Sequence, residues 1–188
     1  MSVYFQDQFF YHKDFPDGKI CDQFDGCTFS ELAYNNGDLS GAEFVNCTFN
    51  ACDLSMAKLE GTVFREVTFK GCKMLGMPFD RCNNFILSFS FKNCMLDFSC
   101  FNGLSIKQTI FEDCSLKGAF LLEANMEKSV FKHTNLQDAA FEGTQLKEAD
   151  FRTARYFRID PEKNNLKKAR FSSENLEGLL YKYGLRIG

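Results

Sequence analysis

The chain has 188 residues, enough for one domain with a sizeable core. Its net charge of −3 is too mild to mark a nucleic-acid or membrane-surface binder, and no apolar run of about 18 residues offers a membrane span. Hydrophobic residues make up 45%, which excludes a disordered chain, and 23 Phe stand against no Trp, a skew that suits a packed layer repeating one shape.

The first stretch, MSVYFQDQFFYHKDF, lacks a basic start and mixes acids with aromatics, unlike a signal peptide. A cytoplasmic location is the expectation. Phe5, Phe10, Phe15 and Ile20 are five apart, and Pro16-Asp17-Gly18 signals a turn. Residues 1–20 are expected to form an irregular N-terminal cap, since a stacked array otherwise leaves apolar surface open at its end.

From Phe24 every fifth residue is a large apolar one: Phe24, Phe29, Tyr34, Leu39, Phe44, Phe49 and so on to Phe79. The phase then slips by two residues within Asp80–Phe85 and resumes at Ile86, Phe91, Leu96, Phe101 and Ile106, running on to Tyr156. Two positions before most centres sits a small residue, among them Cys47, Ala57, Cys94, Ala119 and Thr134. A helix repeats at 3.6 and a strand at 2, so neither writes this pattern. Phe24, Phe44 and Phe64 are twenty apart, as are Phe91, Phe111, Phe131, Phe151 and Phe171, so four fives close one turn. Gly41, Gly61, Gly103 and Gly143 recur at one corner and predict positive φ there. An all-β solenoid of about eight coils follows, roughly 40 Å tall at the usual strand spacing.

These residues resemble the pentapeptide-repeat family, whose units place a small residue two before a central Phe or Leu. The resemblance covers about residues 20–178 and implies a right-handed quadrilateral β-helix. The chain divides as one domain, 1–188, with coils over 21–171 and a C-terminal helix and tail over 172–188.

Past Tyr156 the repeat loosens, and Ile159–Asn165 reads as an irregular corner. Leu166 and Phe171 resume the phase. Leu176, Leu179, Leu180 and Tyr183 follow a Ser cap at helical spacing, with Gly184 as the stop. The spacing predicts a short α-helix over 174–183 that closes the end of the rod. The tail, IDPEKNNLKKARFSSENLEGLLYKYGLRI, resembles the C-termini of the Qnr and MfpA branch of the family. Those proteins shield DNA gyrase or topoisomerase IV from quinolones, are described as DNA mimics, and dimerise through these segments. The resemblance implies a homodimer, with Leu180, Tyr183, Leu185 and Ile187 as candidate contacts.

No catalytic motif is present, and His12 and His133 are far apart, so no enzyme activity, cofactor or metal site is expected. Cys52, Cys72, Cys94 and Cys114 fall in one column. A soft-metal ladder is one reading, but a straight ladder cannot give zinc its tetrahedron. Cys27, Cys47, Cys52, Cys72, Cys94 and Cys114 sit where Ala, Ser and Thr alternate with them, so they read as small packing residues, and no structural disulfides are expected.

Charge is polarised: residues 1–66 carry eleven acids and four bases, whereas 152–170 carry seven bases and two acids. Acids recur on one outward face: Asp38, Glu60, Asp80, Glu123, Glu142 and Glu162. They read either as carboxylates imitating phosphates to a DNA-holding protein or as a solvated face. Leu75, Phe85, Leu87, Met95, Phe98, Phe120 and Leu122 are apolar at outward positions and are expected on three faces. Two functions stay open: a Qnr/MfpA-like rod that binds a type II topoisomerase, and a protein-interaction scaffold with an unrelated partner. Neither involves direct contact with nucleic acid or a membrane.

Overall fold

A computed structural model describes residues 3–12, 22–85 and 87–186. The expected turn at Pro16-Asp17-Gly18, together with Phe15, Ile20, Ile86 and Ile187, lies outside them. The chain winds as a solenoid in which all strand pairing is parallel. The strands are β1 (Tyr4–Gln6), β2 (Phe9–Tyr11), β3 (Gln23–Asp25), β4 (Thr28–Ser30), β5 (Glu43–Val45), β6 (Thr48–Asn50), β7 (Val63–Arg65), β8 (Val67–Lys70), β9 (Phe89–Lys92), β10 (Ile110–Glu112) and β11 (Val130–Lys132). One sheet runs β1-β3-β5-β7 and the other β2-β4-β6-β8-β9-β10-β11. Seven strands make six steps, so strand pairing spans about six turns rather than eight. Beyond β11 the ladder continues as isolated bridges, Val130 to Asp150 to Arg170, because single residues pair there without forming a strand. The other two sides of the coil are bridges throughout, such as Pro78 to Cys100 to Phe120 to Ala140.

The centres point inward because each unit turns a corner. Two residues after nearly every centre the backbone adopts positive φ, for example Asn46 (52°), Gly61 (69°), Glu123 (56°) and Asp138 (57°). The corner N–H then donates to the next coil: Asn46 N to Arg65 O at 2.9 Å, and Glu123 N to Glu142 O at 2.8 Å. The glycines at Gly41, Gly61, Gly103 and Gly143 sit at such corners, as their spacing predicts. Inside, the Phe column stacks face to face. Centroids are 4.5 Å apart for Phe29–Phe49, 5.2 Å for Phe91–Phe111 and 4.6 Å for Phe131–Phe151. Offset stacks at this distance add about 0.5–1.5 kcal/mol per pair beyond area burial.

Three local expectations change. Residues 3–12 are not irregular. They carry two strands, and Phe5 and Phe10 extend the columns by stacking on Phe24 and Phe29 at 5.2 and 5.0 Å. At the slip, a 3-10 turn over Phe79–Arg81 replaces the usual corner, and pairing resumes with Val67 opposite Phe89. Phe89 occupies a small-residue position yet is buried, packing near Phe64, Phe79 and Phe91. Tyr156 is not a centre. Its backbone takes the corner conformation (φ 60°) early, so Tyr156 points out and Phe157 goes in.

The C-terminal segment forms a 3-10 turn at Ser173–Asn175, α1 (Glu177–Leu180) and a second 3-10 turn at Tyr181–Tyr183. The predicted single helix is thus mixed in type. Ser172 caps it reciprocally with Asn175, and Gly184 ends it at φ 61°. Asn175 donates to the Phe151 and Ala154 carbonyls at 3.1 Å each, and Gly178 is buried. These contacts seat the segment on the last coil.

The corner conformation is testable at Gly103, where nothing lies within 4 Å of an added Cβ. Gly103→Ala therefore carries only the backbone cost of about 1–2 kcal/mol, read as a fall of about 2–8 °C in Tm. An unchanged Tm would contradict the corner assignment.

Candidate functional site

Two outward features stand out: an acidic edge and an apolar strip. Both flank the fourth column, whose centres are Leu39, Leu59, Phe79, Phe101, Leu121 and Phe141. Five of the six candidate acids stand beside a centre of this column. Asp38 precedes Leu39, and Glu60, Asp80 and Glu142 each follow a centre. Glu123 lies at the corner beyond Leu121. Several are already engaged. Glu60 accepts from Ser40 Oγ at 3.2 Å, Asp80 lies 3.5 Å from Arg81, and Lys163 Nζ is 3.1 Å from Glu142. Glu162 faces Lys182 Nζ at 2.8 Å and accepts from Tyr183 Oη at 3.2 Å. Among the described residues Glu60 and Glu123 make no ion pair.

The apolar strip runs between the third column (Leu54, Met74, Leu96, Leu116) and the fourth. Met56 and Phe98 occupy left-handed corners at φ 58° and 61°, and they are 59% and 65% exposed. Each side chain lies over a glycine of the next coil. A Cβ at Gly76 would come within 2.4 Å of Met56 Sδ, and one at Gly118 within 2.7 Å of the Phe98 ring. Phe120, 44% exposed, bridges Cys100 and Ala140 on the same side. Leu75 and Pro78 complete the strip, both half-buried.

The outward apolar residues are thus less scattered than the sequence suggests, since Leu75, Phe98 and Phe120 share one face. Met56 belongs there too and is missed by the sequence list. Its signal is positional: Met56 and Phe98 both stand two residues after a third-column leucine. Leu87 was expected to point outward, but it packs partly against the core as the slip re-aims it. Phe85 stands alone at the slip, 88% exposed. Met95 is exposed and Leu122 half-buried.

The cysteine column has a structural role beyond size. The thiols of Cys52, Cys72 and Cys94 donate to the carbonyls of Phe29, Phe49 and Phe69 in the preceding coil, at 3.5, 3.4 and 3.4 Å. Thr134 Oγ1 donates to Phe111 O in the same way at 2.9 Å. The site prefers a small donor, which explains why Cys, Ser and Thr recur there. In the neighbouring column, burial pushes the Cys47 thiol up to about 12, and it donates to Phe24 O at 3.5 Å. His133 points outward, with Nδ1 3.1 Å from Asp113 Oδ1.

At the C-terminal end, Leu180 is half-buried while Tyr183 and Leu185 are exposed. Lys182 fastens this segment to the last coil, 2.8 Å from both Asp160 and Glu162. Hydrogen bonds from its ammonium, supported by its charge, hold both carboxyls below their ordinary 3.8 and 4.5. Depressed values mean the anchor is intact at neutral pH and is lost as pH falls below the ordinary carboxylate range, through the folded values. Lys182→Met should speed amide exchange over 177–183 several-fold at pH 7, and the difference from wild type should narrow as pH falls through the folded carboxyl values. Equal exchange at pH 7 would show that the segment holds without this anchor.

Comparison with known proteins agrees with the geometry. Pentapeptide repeats match in eight copies, over residues 35–65, 49–83 and 109–147. No curated protein sequence matches. Among solved structures, a trypsin-treated variant of QnrB1, described as a plasmid-mediated fluoroquinolone resistance protein, is similar at a TM-score of 0.65 and 17% identity. That match covers 100% of this chain and 98% of the other. A second trypsin-treated QnrB1 variant gives the same score and identity, with 100% of both chains covered. At this identity the likeness is one of fold. In the described residues no helix is long and apolar enough to cross a membrane. Centres every fifth residue, small residues two places before them, and a four-sided parallel coil together identify the chain as a member of the pentapeptide-repeat family.

Proposed function

We propose that this protein is a non-catalytic protein-binding rod whose contact surface is the strip formed by Met56, Leu75, Phe98 and Phe120. One observation carries this reading. Met56 and Phe98 place large apolar side chains, mostly exposed, at left-handed corners that this chain elsewhere gives to glycine or polar residues in most cases. A bulky residue at such a corner costs about 1–2 kcal/mol of backbone energy. Exposed apolar surface adds a further cost in the free protein, and a covering partner removes it. Purified tagged protein should capture a partner that is lost on Phe98→Asp or Phe120→Asp and kept on His133→Ala. Equal capture by all variants would rule the strip out.

A second reading is a Qnr/MfpA-like DNA mimic that binds DNA gyrase or topoisomerase IV through Asp38, Glu60, Asp80, Glu123, Glu142 and Glu162 and modulates quinolone sensitivity. Support comes from the QnrB1-like fold and from the alignment of the acids along one edge. Pairing of Asp80, Glu142 and Glu162 with cations weakens it. This reading expects inhibition of gyrase supercoiling, or protection from ciprofloxacin, at micromolar protein. Neither effect would remain if the acidic edge is only solvated.

Homodimerisation through Leu180, Tyr183, Leu185 and Ile187 belongs to the same proposal, in a cytoplasmic setting. Truncation after Tyr183 should yield a monomer in sedimentation; an unchanged mass would reject this interface.

A further inference from the structure

We infer that the strip receives a basic amphipathic helix of a partner protein, laid along the axis of the rod. This rests on the reading of the strip as a protein-contact surface and adds the chemistry of what docks there.

The first argument is periodicity. Successive coils are about 4.8 Å apart. A helix presents one side chain per turn on a given face, every 5.4 Å or so. Residues at i, i+4, i+7 and i+11 therefore meet one coil each along the strip. From the coil of Met56 to that of Phe120 is three steps, about 14 Å, which matches roughly ten helical residues. A strand laid the same way would present same-face side chains about 6.7 Å apart, out of step with the coils.

The second argument is relief. Met56 and Phe98 alternate with Gly76 and Gly118 along one corner, and each large side chain leans over a glycine. Each large side chain therefore covers two coils, and the corner is a continuous apolar ridge. Pro78, Cys100 and Ala140 keep the adjoining row low except at Phe120. A ridge beside a lower row gives a helix a shoulder to lie against, with its side chains meeting both.

The third argument is charge. With the Asp80–Arg81 and Glu142–Lys163 pairs set aside, the strip is bordered by Glu60, Asp97, Glu123 and Asp138 against Lys58 and Lys117. Four acids against two bases leave a net −2 around an apolar centre. Lysines or arginines flanking the apolar face of the helix complement that border.

The test uses the full chain and a designed helical peptide of about 16 residues, with leucines at i, i+4, i+7 and i+11 and lysines on both flanks. Controls are a scrambled peptide of the same composition and a version with glutamates replacing the lysines. Fluorescence anisotropy should give saturable binding in the micromolar range, weakened about tenfold or more in the glutamate version and on Phe98→Asp or Phe120→Asp. Melting curves of both variants verify that they fold. Absence of saturation up to about 1 mM, or equal binding of the scrambled peptide, overturns the inference. Self-association that disappears on Phe98→Asp also overturns it, by making a second copy the occupant. If Phe98-dependent partner capture persists while the peptide does not bind, the strip remains a contact surface and only the helix is wrong. If both fail, the strip itself is lost.

Discussion

The hydrogen bond from a corner N–H to the next coil, in most cases to the carbonyl nineteen to twenty-one residues ahead, is the constraint from which the rest follows. Asn36 to Ser55 at 2.8 Å and Lys128 to Lys147 at 2.9 Å are examples. That bond exists only because the corner residue adopts positive φ, which turns the chain and delivers its N–H to the next coil. Once corners recur every five residues, two side chains of each unit must face in. The larger fills the column, and the smaller fits beside it and, where it is Cys, Ser or Thr, donates to the coil before. Stacked Phe rings and buried thiols are consequences of this winding rather than its cause.

The same constraint divides the chain into inward positions that fix the fold and outward positions free to carry function. This is why the fold was legible and the site much less so. A period of five with small residues at −2 can be read without knowing any contact, and glycines twenty apart reveal the corner conformation. Legibility failed where the winding changes. Tyr156 has the right spacing to be a centre, yet an early corner sends Phe157 inward instead. Leu87 has the spacing of an outward residue, yet the turn at Phe79–Arg81 re-aims it.

The strip was hidden for a different reason. Its residues are about twenty apart in sequence, and the two-residue slip between Leu75 and Phe98 breaks even that count. Met56 drew no attention because one exposed methionine is ordinary. It gains meaning only beside Phe98, at the same corner and over an equivalent glycine. The acidic edge could be read as a column, but its pairing with Lys163 and Lys182 could not, since one contact joins different coils and the other depends on how the C-terminal segment folds back.

The central claim is that inward residues hold the rod whereas Phe98 does not. Thermal melting of Phe111→Leu and Phe98→Asp tests it most directly. Phe111 is fully buried between Phe91 and Phe131, so its replacement should lower Tm. Phe98→Asp relieves a left-handed corner of a bulky side chain that aspartate tolerates better, so Tm should hold or rise. A fall on Phe98→Asp as large as that on Phe111→Leu would contradict the claim and make the strip part of the core.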